Sequence, residues 1–429
     1  LIKLVFQWII IFQSHERYLL IMQSIIQGAL IDFPVVLITG PRQVGKSTLV
    51  HTFVESLNFK YVSLDNIDQR RLAQEDPRYF IEVHGYPLII DEVQYAPELL
   101  EVITEIINER RIFEEVSRGL FILTGSQAFH LMQGVSQSMA GRAAMFEMEP
   151  LSRCEINQVT ETPFLPNVEL MKHHCDPIPV ANVFEQIIRG FYPELYKNPR
   201  LNPEQYYARY VATYIDRDVT ELINVKDKNK FHAFMQILAS LTGQQLNVLS
   251  ISKSIGVHSA TINSWLFTLE SSGIIYLLQP YHDVSMVKRI VRSPKLYFSD
   301  TGLAAHLLRI MDAKTLEVSH FAGAFMETFA MNEVRKSYLN SGRSFNGYYY
   351  RDSNQNEIDL ILIENAHYHC IDIKKGMKFT KADVSAFNQL RNSQFKAGQH
   401  CILCNTVESY AIDDSVIALS IDCVGRSSV

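Results

Sequence analysis

The residues best suited to chemistry form one contiguous loop, Gly40-Pro41-Arg42-Gln43-Val44-Gly45-Lys46-Ser47-Thr48, in the pattern GxxxxGK[ST]. It follows the apolar run Val35-Val36-Leu37-Ile38 and opens onto Thr48-Leu49-Val50, so a strand leads in and a helix leads out. Glycines there let successive backbone N–H groups curl around a phosphate without interference from Cβ, and the helix N-terminus adds partial positive charge. In this spacing Lys46 reaches the β- and γ-phosphates of a nucleoside triphosphate, while the Ser47 hydroxyl holds Mg²⁺.

A second group of residues matches what such a loop needs. Ile89-Ile90-Asp91-Glu92 ends an apolar strand with two carboxylates. Asp91 is placed to contact Mg²⁺ through water, and Glu92 to orient the attacking water, because loose phosphoryl transfer depends on positioning more than on strong basicity. Leu123-Thr124-Gly125-Ser126-Gln127 ends another strand, where the hydroxyls of Thr124 and Ser126 could report on the γ-phosphate or simply form a turn. Arg142, after Gly141, either supplies charge to the phosphates as an arginine finger does or is a solvated surface residue. Gln94 lies just past Glu92, as a holder of water or a hinge.

A separate constellation lies near the C-terminal end. A helix over Ala322–Leu339 carries Glu327, and strands follow over Tyr348–Arg351, Glu357–Ile363 and His369–Lys375. Residues two apart share a strand face, so Glu357 projects with Asp359 and Asp372 with Lys374, while Ile358, Leu360, Ile371 and Ile373 face a core. Carboxylates and a lysine on neighbouring strands can hold a metal and position water for phosphodiester cleavage. The arrangement resembles the PD-(D/E)XK nuclease fold, with Asp359, Asp372, Lys374 and Glu327 at matching positions. That resemblance implies a second Mg²⁺ on Asp359 and Asp372. Asp372 stands where Glu is commoner, and a solvated amphipathic hairpin or a nuclease-like fold that does not cut stays open beside it.

The elements that position these groups read clearly in the first half. Apolar spacing at Leu19, Met22, Ile26 and Ala29 predicts an amphipathic helix over Arg17–Ile31. Near-continuous apolar runs at Val35–Thr39, Tyr61–Leu64, Leu88–Ile90, Leu120–Thr124 and Met145–Met148 predict strands buried on both faces of a parallel sheet. Prolines 163, 166, 177 and 179 mark a connector, and helical spacing over Phe184–Leu222 suggests a small lid over the nucleotide. Helices over Phe231–Leu241, Ser250–Ile255 and Ser259–Ser271, then a strand over Ile274–Leu278, read as a winged helix. Its third helix carries no cation, so DNA contact would fall to Lys288, Arg289, Arg292 and Lys295 in the wing; a structural or coupling role is the other reading.

Composition bounds the rest. The chain has 429 residues, 47% of them hydrophobic, enough to bury several cores. Its net charge of −6 argues against a wholesale polyanion binder, although Lys226–Lys295 carries eight Lys/Arg against three acids. Six scattered cysteines fit a reducing cytoplasm; Cys401-x-x-Cys404 is a lone pair in a strand and His173-His174-Cys175 an ordinary loop, so neither reads as a zinc site. The apolar start, Leu1 to Phe12, falls short of the ~20 residues that span a bilayer.

Taken together, the loop, Asp91-Glu92-Val93-Gln94, Leu123-Thr124-Gly125-Ser126, Gly141-Arg142, Phe298-Ser299-Asp300-Thr301-Gly302 and Glu357-Ile358-Asp359 resemble one family. It is the prokaryotic AAA-type ATPases whose C-terminal half is a domain of unknown function with a nuclease-like end. The resemblance implies an α/β chain: an N-terminal extension and helix (1–33), an AAA-type P-loop NTPase core (34–155), a connector (156–182), a helical lid (183–225), a winged helix (226–300) and a restriction-endonuclease-like domain (301–429). It implies ATP and Mg²⁺ as ligands. Double-stranded DNA is a candidate partner, and self-association would follow if a neighbour supplied an active-site arginine. Where AAA proteins usually place Asn on the sensor strand, this chain has Thr124 and Ser126. The alternative function is a nucleotide-gated binding or scaffold protein that cuts nothing.

Overall fold

Five short apolar strands set the architecture of the first half: β1 (Val35–Thr39), β2 (Lys60–Ser63), β3 (Leu88–Asp91), β4 (Phe121–Gly125) and β5 (Ala143–Glu147). In the computed structural model, which describes residues 22–113, 118–125, 139–172, 180–219, 227–282 and 293–426, they form one parallel sheet in the order β2-β3-β4-β1-β5. Alternate residues of each strand serve two cores. Val35, Leu37, Ile90 and Leu123 pack with Ile103 and Ile107 on one face, whereas Val36, Ile38, Ile89 and Ile122 pack with Phe53 and Ile26 on the other. The inner strands β1, β3 and β4 are buried on both faces and so nearly all apolar, whereas the edge strands β2 and β5 are partly exposed, with Met145 open to solvent. The predicted N-terminal helix is present over residues 22–32 and buries Met22, Ile26 and Leu30 against the sheet.

The chain divides into two compact units. The first contains this sheet and runs to Leu151, with Ser271–Gly273 and Leu339–Gly342; the second comprises Ser152–Glu270, Ile274–Tyr338 and Arg343–Val429. In the second unit, helices Lys228–Ser240, Val248–Ile255 and Ser259–Ser271 accompany a small antiparallel sheet, β6 (Gln244–Gln245), β8 (Lys295–Phe298) and β7 (Ile275–Leu278), in that order. Trp265 packs 5.2 Å from both Phe231 and Phe234.

A mixed seven-stranded sheet follows. Strands β9 (Gly347–Arg351), β10 (Glu357–Glu364) and β11 (His367–Lys374) form an antiparallel meander. The short β12 (Lys396–Ala397) and then β13 (His400–Cys404) run parallel to β11. Beyond them, β15 (Val416–Ser420) is parallel to β13 and β14 (Tyr410–Ala411) antiparallel to β15. Between β11 and β12 lies the 3₁₀ segment Ser385–Leu390. Cys401 and Cys404, three apart on one strand, face opposite sides and cannot converge on one ligand.

Helix Ala322–Leu339 is buried along almost its whole length, and its polar side chains are spent on neighbours within the second unit. Asn332 Nδ2 donates to the carbonyls of Phe298 (2.9 Å) and Ser299 (3.1 Å), Thr328 bonds Thr242 (2.9 Å), and Ser337 accepts the Phe164 N–H (2.9 Å). A buried helix this polar stays inside only because each group has a partner. The helices over Val180–Arg189 and Pro203–Tyr210 are fastened in the same unit by Asp300, which caps helix Thr301–Leu307. Its carboxylate accepts from Leu303 N–H (2.8 Å), Phe191 N–H (2.6 Å) and Tyr207 OH (2.7 Å).

Candidate functional site

The C-terminal ends of β1, β3 and β4 assemble the first site. Gly40 leaves β1 at φ +143°, where a Cβ would lie 2.1 Å from the Met148 carbonyl oxygen, so only glycine fits. Gln43 and Gly45 are also left-handed, at φ +67° and +102°. Lys46 and Ser47 then open helix Lys46–Leu57. The Lys46 ammonium is buried and donates to the carbonyls of Gly40 (2.9 Å) and Pro41 (2.7 Å). Burial draws its pKa down to about 8, against the opposing pull of the Glu92 and Asp91 carboxylates.

Strand β4 lies between β1 and β3, which places Thr124 beside the carboxylates. Thr124 Oγ1 donates to Asp91 Oδ1 and accepts the Glu92 N–H at 3.1 Å. The other Asp91 oxygen accepts from Tyr61 OH at 2.8 Å; burial and this bond raise the phenol's pKa. Glu92 sits at φ +60°, a backbone region that a long unbranched side chain rarely adopts, and Gln94 Nε2 donates to its carboxylate. Arg42 donates to Tyr95 OH at 3.2 Å, while Arg70 stacks 3.8 Å over the same ring. Sequence reading counted Tyr61 only as part of an apolar strand and gave Tyr95 no role. Their signal is a hydroxyl on an aromatic ring, which composition scores as apolar.

Ser126 lies outside the described residues, as do His173, His174, Cys175, Lys288, Arg289 and Arg292. Arg142 corrects an expectation. It directly precedes β5, whose Ala143 pairs with Val35, so it stands at the sheet edge opposite the loop. The five residues of β1 separate the two edges, about 16 Å at ~3.3 Å per residue. Its guanidinium instead donates to Asn108 Oδ1 at 2.9 and 3.2 Å. Arg142→Ala is therefore expected to leave the nucleotide Kd of its own chain unchanged in a titration; a tenfold loss would contradict this placement.

The second constellation also assembles. Glu327, Asp359, Asp372 and Lys374 meet in the second unit, but around a residue expected elsewhere. Lys295, read as a wing cation for DNA, is 1% exposed at the start of β8. Its Nζ lies 2.6 Å from Glu357 Oε1, 2.9 Å from Glu327 Oε1 and 3.4 Å from Asp359 Oδ1. Burial alone would lower its pKa, yet Glu327, Tyr297 and Asp359 hold the ammonium above the ordinary lysine value. Tyr297 OH donates to Glu327 Oε1 at 2.6 Å. Asp359 and Asp372 are both buried, which removes the solvated-hairpin reading.

The Mg²⁺ expected on Asp359 and Asp372 does not fit this donor set. Asp359 Oδ2 accepts the Ile373 N–H (2.9 Å), Asp372 Oδ1 accepts the Asp359 N–H (3.4 Å), and Asp372 Oδ2 pairs with Lys374 (3.4 Å). The remaining Asp359 oxygen faces Lys295. Among the described residues no group of three His, Cys, Asp or Glu is arranged to hold a metal.

Burial, reinforced by Asp359, pushes Glu327 and Asp372 each up to about 7. A carboxyl raised above its unfolded value of 4.5 favours the folded state while protonated, so its contribution to stability is lost as pH rises from about 4.5 to about 7. Melting temperatures of Glu327→Gln are expected to fall less steeply than those of wild type across that window. Equal slopes would contradict the burial of Glu327.

Comparison with known sequences finds that residues 32–157 match the family described as AAA domain. Residues 32–157 are an AAA domain. Beyond it, residues 180–314 match a domain of unknown function (DUF8612), and residues 322–424 match another, DUF4143. Uncharacterized proteins of Mycobacterium tuberculosis and Mycobacterium bovis are each 27% identical over 355 residues, covering 82% of this chain and 72% of theirs. Among solved structures, a Walker-type ATPase of Pyrococcus abyssi is 13% identical with a TM-score of 0.40, covering 67% of this chain and 94% of that one. A RuvB variant of Thermotoga maritima is 16% identical with a TM-score of 0.29, covering 62% and 88%. Among the described residues no helix is long and apolar enough to cross a membrane.

Proposed function

We propose that the AAA domain binds ATP with Mg²⁺ and hydrolyses it to ADP and phosphate. One observation carries this reading: the Lys46 ammonium, buried at the turn of the loop, feels both the Asp91 and Glu92 carboxylates at the same sheet edge. A triphosphate and its cation need that mixture of charges. The donor set fits a hydrated Mg²⁺, which would be held by the Ser47 hydroxyl and, through water, by Asp91, whose oxygens stay with Tyr61 and Thr124, and which would offset phosphate charge when bound. Lys46 exchanges its two loop carbonyls for phosphate oxygens. Glu92 orients the attacking water and accepts its proton, with Gln94 fixing the carboxylate and Thr124 the backbone beneath it. Tyr61 and Thr124 hold Asp91 in place by donating to both its oxygens.

A thermal melt with ATP and Mg²⁺ tests this. At a hundred times Kd the ligand should stabilise the domain by about 2.7 kcal/mol. Absence of any shift, together with no phosphate release, would overturn the proposal.

A further inference from the structure

We infer that Lys295 is the resident cation of the acidic cluster in the second unit, standing where the nuclease resemblance would put a metal ion, so that this cluster operates without one. The inference is independent of ATP hydrolysis. Four carboxylates gather here, Asp359 and Asp372 buried and the Glu327 and Glu357 side chains 15% and 29% exposed, and such crowding away from water calls for positive charge. A divalent ion could supply it. Here the chain supplies it instead: one ammonium touches three of the four acids, and Lys374 takes the fourth.

The second oxygens of Glu357, Asp359 and Asp372 are also engaged. Glu357 Oε2 pairs with Arg351 at 3.0 Å, and the Asp359 and Asp372 oxygens accept backbone N–H groups from the adjoining strands. A metal would have to displace a lysine that is itself nearly inaccessible to water. Because Lys295 opens β8 whereas its partners lie on helix Ala322–Leu339 and on β10, the charge that closes the cluster also ties the small antiparallel sheet to the mixed sheet. The cluster is thus an internal ion lock that joins two parts of the second unit. Metal-dependent phosphodiester cleavage is not its work.

Mn²⁺ binding to the full chain, followed by the electron paramagnetic resonance of the free ion, tests the inference in pairs differing at one residue, so any affinity of the phosphate loop cancels. Wild type and Asp359→Asn are expected to bind Mn²⁺ equally, and Asp372→Asn serves if Asp359→Asn fails to fold. An equivalent of Mn²⁺ held by wild type and lost in either variant would overturn the inference, as would Mg²⁺-dependent plasmid nicking abolished by them. Lys295→Met should melt earlier than wild type and regain thermal stability with Mn²⁺, or fold only in its presence. The double variant Lys295→Met/Asp359→Asn should not respond. A Lys295→Met protein indifferent to Mn²⁺ would show that the ammonium does not stand in a cation's place.

Discussion

Glu92→Gln is expected to keep ATP bound while slowing hydrolysis by about 10²–10⁴-fold, the range removed with a positioned acid–base group. The amide preserves side-chain length, and its oxygen can still accept from Gln94, so the loop and the strained φ of +60° are undisturbed. What disappears is the negative charge that draws the proton from water. Lys46→Ala should behave differently: binding itself is lost, because its ammonium is the charge already buried at the loop. Nucleotide titration and phosphate release separate the two variants. Wild-type turnover in Glu92→Gln would move the water-orienting role to another residue, and wild-type binding in Lys46→Ala would take the triphosphate away from this loop.

Gly190→Ala is the substitution expected to harm the second unit most. Gly190 sits at φ +71°, and a Cβ there would lie 1.8 Å from Tyr207 OH and 2.7 Å from Asp300 Oδ1. Neither can retreat. Tyr207 packs against Tyr192 and Tyr206, and Asp300 is held by the two backbone donors already described. Displacing Asp300 strands three buried donors, each costing about 1–3 kcal/mol when unpaired. A urea titration should therefore show a loss of at least about 3 kcal/mol for Gly190→Ala, and a comparable loss for Asp300→Ala. A change below about 1 kcal/mol in both would mean that this junction yields where the packing says it is rigid.

Much of the AAA domain was legible before any coordinates because its chemistry is contiguous. A phosphate loop is local: the strand, the turn glycines, Lys46 and Ser47 follow one another, and a buried parallel strand declares itself by unbroken apolarity. Boundaries moved by a residue or two, as at β5, where pairing with β1 begins at Ala143 ahead of the apolar run. The finger reading of Arg142 fails within its own chain for a different reason. A motif next to a strand does not say which end of the sheet it faces, and only parallel pairing put it at the far edge.

The second unit shows the limit more sharply. By itself the sequence determined the phosphate loop, the carboxylates that follow it, helix Ala322–Leu339 and the alternation that sets Asp359 and Asp372 on their strands. It could not reveal that Lys295, 32 residues before Glu327 and 64 before Asp359, would be enclosed by them. Along a chain, a lysine bound for the interior and one bound for solvent look alike, since desolvation and its compensation arise only when separate strands close around the charge. Tertiary structure therefore decided that an ammonium stands among those acids.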